Sequence, residues 1–132
     1  MTEAQWVQRW LERAQDDLLA AKRLFNDYHP KMLEISCYQC QQAAEKALKA
    51  YLTFKEHSFK FTHDLLELCI VCSTFNTGFH DLEGDCSDIS HYATDARYPN
   101  KNEIDEAETE KTLQKAERIV TFCASLITSE EQ

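Results

Sequence analysis

Apolar residues recur at intervals of three and four along most of this chain, the period of amphipathic helices. Val7, Trp10, Ala14, Leu18, Ala21 and Phe25 form the first such stripe. It predicts a long helix over about residues 3 to 27. Thr2 with Gln5 has the form of a capping box at its start. "DYHP" interrupts the stripe, and Pro30 suits the first turn of the next helix. Leu33, Cys37, Cys40, Ala44, Ala47 and Tyr51, flanked by Leu48 and Leu52, predict helix two over about 31 to 56. Gln42, Glu45, Lys46 and Lys49 fall largely on its opposite, polar side.

"HSFKF" reads as a short connection. Thr62 then reads as an N-cap, with Asp64 in a first turn where negative charge suits the helix dipole. Leu65, Leu68, Cys69, Cys72 and Phe75 point inward on a third helix over about 63 to 75. "NTG" ends it, and a less regular helix, containing Gly84, follows over about 79 to 96. "RYPNKN" reads as a loop, because Pro99 pushes Tyr98 out of helical geometry. Leu113, Ala116, Val120, Cys123 and Ile127 mark a last helix over about 103 to 128.

The chain has 132 residues, with two glycines and two prolines. Hairpins or βα loops would need more turn residues than that. The expectation is a single all-α domain over residues 1–132, an up-and-down antiparallel bundle of about five helices. Internal repeats, low-complexity segments and interdomain linkers are not evident in the sequence.

Charge narrows the function. The formal net charge is −9, from 14 basic and 23 acidic residues. Such a chain repels a phosphate backbone at long range, which argues against DNA and RNA as partners. "MTEAQWVQRW" lacks a basic start and an apolar core, so it does not read as a signal peptide, and no apolar run approaches a membrane span. A cytoplasmic location is expected, where six cysteines stay thiols.

Two Cys-x-x-Cys pairs, Cys37/Cys40 and Cys69/Cys72, raise the question of a zinc site. Both sit on apolar helical stripes, where reduced cysteine acts as a small hydrophobe. If helices two and three are antiparallel, Cys40 lies about 21–24 Å and Cys72 about 13 Å from their shared connection. Four sulfurs at about 2.3 Å from one zinc do not fit that separation. Core packing is the expected role, with no metal; a redox pair lacks its βαβ setting.

"RAQDDLLAAKRLF", "QQAAEKALKA" (Gln41 to Ala50), "HDL" (His63 to Leu65) and "TDARYP" (Thr94 to Pro99), in that order, resemble the HEPN family. The likeness spans nearly the whole chain. It implies a helical bundle, a homodimer and a minimal nucleotidyltransferase as partner, in some cases as a toxin–antitoxin pair. Some members are toxin ribonucleases with Arg-x(4–6)-His near the start of the last long helix. Arg97 stands in that region, yet no histidine follows it; the last is His91. Arg23 and His29 satisfy the spacing at the end of helix one, the wrong place. Histidine is the usual proton carrier at neutral pH, so no catalytic residue is assigned.

In an up-and-down bundle, the end of helix two, the start of helix three, the end of helix four and the start of helix five share one end. Lys49, His63, Arg97 and Tyr98, with Lys46 one turn deeper, are therefore the candidate nucleotide-binding residues. Cations and a helix N-terminus hold phosphate, and Tyr98, with Tyr92 nearby, offers a ring for a base. The bland readings are surface charges, a Glu45–Lys49 helix-face pair, a helix-start histidine and a packed tyrosine. The leading expectation is a non-catalytic nucleotide- or substrate-binding module with no resident cofactor. The alternatives are an RNA-cleaving toxin with a degenerate site at Arg97, and a protein-interaction module using Trp6 and Trp10.

Overall fold

The computed structural model describes residues 1–94 and 103–130. Among them are five α-helices and no strand. Helix α1 (Glu3–Asn26) opens with the capping box: Gln5 N donates to Thr2 Oγ1 at 3.2 Å, and Thr2 N to Gln5 Oε1 at 2.8 Å. Its stripe of Val7, Leu11, Ala14, Leu18 and Ala21 is buried. Helix α2 (Leu33–Phe54) starts after Pro30 rather than around it, so that proline belongs to the connection. Ser36 Oγ donates to the Ala21 carbonyl at 2.8 Å, and Lys46 pairs with Asp17. Later residues of α2 thus meet earlier residues of α1, and the two are antiparallel.

Helix α2 is the central element. Ala43, Ala44, Ala47 and Ala50 are fully buried around it, and their small side chains let neighbours approach from several directions. The polar side expected for α2 is only partly a solvent face: Glu45 and Lys49 are buried, Gln42 and Lys46 are half-buried, and Gln41 beside them is buried too.

The bundle forms as expected, but the return stroke after α2 is made by non-helical chain. Residues 55–64 run back along α2, tacked down by Phe59, whose ring meets Trp10 edge-on at 6.3 Å. Gln41 reaches the His63 carbonyl, and the Cys72 thiol donates to the Leu48 carbonyl at 3.8 Å. Helix α3 (Leu65–Ser73) consequently runs in the same sense as α2. Its N-cap is Asp64, not Thr62. The Asp64 carboxylate accepts from Leu66 N and Glu67 N at 3.0 and 3.2 Å, while Thr62 Oγ1 accepts from Asp64 N.

The expected fourth helix is broken into α4 (Glu83–Ile89) between 3-10 turns at Thr77–Leu82 and Ser90–Ala93. Helix α5 (Glu106–Glu130) starts beside the start of α2, where the Cys37 thiol donates to Thr109 Oγ1 at 3.6 Å. It finishes beside the end of α2, where Lys55 pairs with Glu130 at 2.7 Å. No helix among the described residues is long and apolar enough to cross a membrane.

All six cysteines are free and buried, including the four of the Cys-x-x-Cys pairs that the core reading placed inside. The two Cys-x-x-Cys pairs do not converge. Cys37 faces Thr109, whereas Cys69 donates to the Phe79 carbonyl at 3.3 Å and has Cys86 as its thiol neighbour. No group of three metal-binding side chains is placed to hold an ion among the described residues. Burial pushes the Cys40, Cys72 and Cys123 thiols far up, so they are poor thiolates.

Candidate functional site

Gln41, Glu45 and Lys49 stand four residues apart and so form one row along α2. The returning chain lays His63 across that row. The Glu45 carboxylate accepts from Lys49 Nζ at 2.9 Å, His63 Nδ1 at 2.8 Å and Gln41 Nε2 at 3.2 Å. Burial by itself raises the Glu45 carboxyl; the hydrogen bonds from Lys49, His63 and Gln41 outweigh it and hold the group below its ordinary value. The Lys49 ammonium also lies among three rings, 5.5 Å from Phe59 and 5.8 Å from both Trp10 and Phe61.

His63 is held at two points. Its ring is fixed on Glu45, and its carbonyl accepts from Gln41 Nε2 at 3.0 Å and Ser90 Oγ at 3.4 Å. A carboxylate on Nδ1 fixes which ring nitrogen carries the proton there, leaving Nε2 for other partners. The ring is half exposed, and it borders a cleft of about 490 Å³ between the start of α3 and the end of α4. Asp64, Ser87, Ser90, His91 and Thr94 complete the polar lining. Ser90 is occupied with structure, since its Oγ accepts from Leu65 N at 2.9 Å.

The structure brings Lys49 and His63 together, through a carboxylate that the sequence reading had placed on a solvent face. It does so in the middle of α2, not at its end. Lys46 goes elsewhere: it leans on α1 and pairs with Asp17. Tyr92 is buried, its hydroxyl bonded to Glu108, and burial followed by that bond raises its pKa. Arg97 and Tyr98 follow Thr94 closely in sequence and lie outside the described residues. Arg23, half of the misplaced Arg-x(5)-His match, is an exposed partner of Asp27 at 3.8 Å.

Sequence reasoning missed Gln41 and Glu45 as anchors and His91, Ser87 and Thr94 as lining. The four-residue spacing of complementary amide, acid and amine was the available signal for the anchors. Nothing local in the sequence marks the lining.

The family model described as HEPN domain matches residues 7–127. Among solved structures, an archaeal HEPN homologue is 23% identical; the alignment covers 92% of this chain and 97% of that one, with a TM-score of 0.72. A protein from Thermus thermophilus is 24% identical over 90% of this chain and 96% of its own, with a TM-score of 0.76. At such identities the likeness speaks to the fold. No curated protein matches.

Proposed function

The chain belongs to the HEPN domain family, and on that premise we propose that it is a non-catalytic nucleotide-binding module. In this reading it works as a homodimer beside a minimal nucleotidyltransferase, in the manner of a toxin–antitoxin pair. The observation that carries the reading is the held imidazole of His63 at the mouth of the cleft. An imidazole preset by a buried carboxylate presents one nitrogen without loss of rotamer freedom on binding. The cleft volume falls within the range of small-ligand sites. Arg97 and Tyr98 are the residues that the family resemblance proposes as phosphate and base contacts. Lys49 acts one step back, neutralising Glu45, and Lys46 takes no part in the cleft. No histidine follows Arg97, so the residue that would carry a proton during RNA cleavage is missing from the family's place for it.

The test is calorimetric titration with ATP, GTP, CTP and UTP, with and without Mg²⁺, on wild type, Arg97→Ala and His63→Ala. Binding of micromolar strength, weakened by both substitutions, is expected. Heat that neither substitution alters would move the ligand elsewhere. No heat with any nucleotide would overturn the reading.

A further inference from the structure

The chain has two tryptophans, and both border one hollow. Trp6, Arg9, Trp10 and Arg13 recur at spacings of three and four on α1, and Lys46 of α2 closes the far side. The hollow is about 390 Å³ and shares no residue with the His63 cleft. Trp6 is 48% exposed there, while Trp10 is held edge-on by Phe59.

The charges around the hollow are basic. Lys46 is neutralised by Asp17. Arg9 and Arg13 make no ion pair and no side-chain hydrogen bond among the described residues. Two like charges one turn apart repel each other along a helix. A chain with 23 acidic residues has ample means of pairing them, and it leaves them open beside two indole rings.

We propose that this hollow is a second binding site, for a planar aromatic ligand carrying phosphate, namely a nucleoside phosphate. Guanidinium forks match phosphate oxygens in pairs, and an exposed indole offers a flat face for a base. The volume fits a ligand of that size. The net charge of −9 disfavours a long polyanion, whose phosphates beyond the hollow meet an acidic surface. The ligand is thus a free nucleotide or the 5′-phosphorylated end of a strand. The assignment is independent of the cleft.

Tryptophan fluorescence reads this hollow directly, because its two indoles are the only ones in the chain. The full chain is titrated with ATP in Mg²⁺-free buffer, then with adenosine, inorganic pyrophosphate as competitor, and a short RNA with and without a 5′-phosphate. Saturable quenching by ATP, relieved by pyrophosphate, is expected. Arg9→Ala/Arg13→Ala should weaken it by about tenfold or more, and His63→Ala, which keeps both indoles and both arginines, should retain a saturable, pyrophosphate-sensitive quenching. Both arginines are exposed, and circular dichroism of the double variant checks that it folds. Tighter binding of 5′-phosphorylated RNA than of ATP identifies a strand end; the reverse identifies a free nucleotide. The proposal is overturned by no saturable change at millimolar ligand, by equal quenching with adenosine, or by quenching that survives the double arginine variant. Quenching lost only in His63→Ala belongs to the cleft and also overturns it.

Discussion

Replacing Lys49 by methionine removes one charge from a pair that the fold has enclosed. The Lys49 and Glu45 side chains are each only 6% exposed. Removing one partner of a buried ion pair costs about 3–5 kcal/mol, because the remaining charge is desolvated without compensation. Glu45 would keep His63 and Gln41 as donors, and methionine keeps the apolar contact with the surrounding rings. The lower end, about 3 kcal/mol, is therefore expected. That is a large part of a typical domain stability of about 5–15 kcal/mol. At about 4 °C per kcal/mol for a chain of this length, the melting midpoint should fall by about 12 °C.

The companion variant tests the cause. Glu45→Leu/Lys49→Met removes both charges and fills the space with apolar atoms. Gln41 still donates to the His63 carbonyl, and the half-exposed imidazole turns to water. The double variant should therefore be more stable than Lys49→Met alone. Urea unfolding followed by far-UV circular dichroism, with equal slopes for all variants, gives both differences. A single-variant cost below about 1 kcal/mol, the range of exposed pairs, would refute the enclosed-pair argument. So would a double variant less stable than the single one.

Four further outcomes follow from the packing of the bundle. The Glu45 carboxyl is held below its ordinary value of 4.5 in the folded chain, so its contribution is present above that value and is lost as pH falls through the lower folded value. Glu45→Gln should flatten that part of an acid-unfolding curve measured by circular dichroism. Gly78→Ala should destabilise by about 1–3 kcal/mol, since its Cβ would stand 2.7 Å from Phe122 Cζ and that ring packs on Phe79 at 4.9 Å. Gly84→Ala, with nothing within 4 Å and a place inside α4, should stabilise by about 0.5–1 kcal/mol; calorimetric melting of the two variants must show opposite signs. Tyr51 is fully buried with a hydroxyl that meets no partner among the described residues, so Tyr51→Phe should raise stability by about 1 kcal/mol in urea unfolding, and a loss would mean the hydroxyl is satisfied.

How far the sequence could be read depended on what periodicity measures. A stripe of apolar residues locates the faces that a helix buries against apolar neighbours. It did so for α1 and α5, and it put Cys37, Cys40, Cys69, Cys72 and Cys123 inside; Cys86, in the broken fourth helix, lay on no stripe. It cannot report a helix that is enclosed on every side. Helix α2 has α1, α3, α5 and the returning chain around it, so its amphiphilic-looking wheel hid a buried polar row. Gln41, Glu45 and Lys49 satisfy one another, and that lets polar side chains occupy core positions at all. The signal was present as complementary types four residues apart, but an exposed helix shows the same pattern for its surface pairs.

The other misreading is linked to this one. "HSFKF" looked like a short link between antiparallel helices, which put His63 near the end of α2. Yet Phe59 packs against the core while Phe61 stays 93% exposed, so the first of its two phenylalanines is the one turned inward. Phe59 sits against Trp10 and Phe61 against the His63 ring, and Lys49 lies among all three of those aromatic side chains. The buried lysine and the retracing connection therefore meet. Phe59 of that connection covers Lys49 from one side, and Glu45 anchors the His63 imidazole while Gln41 and Ser90 hold its carbonyl at the cleft. The candidate site is thus a consequence of where the chain turns back, and only tertiary structure fixes that.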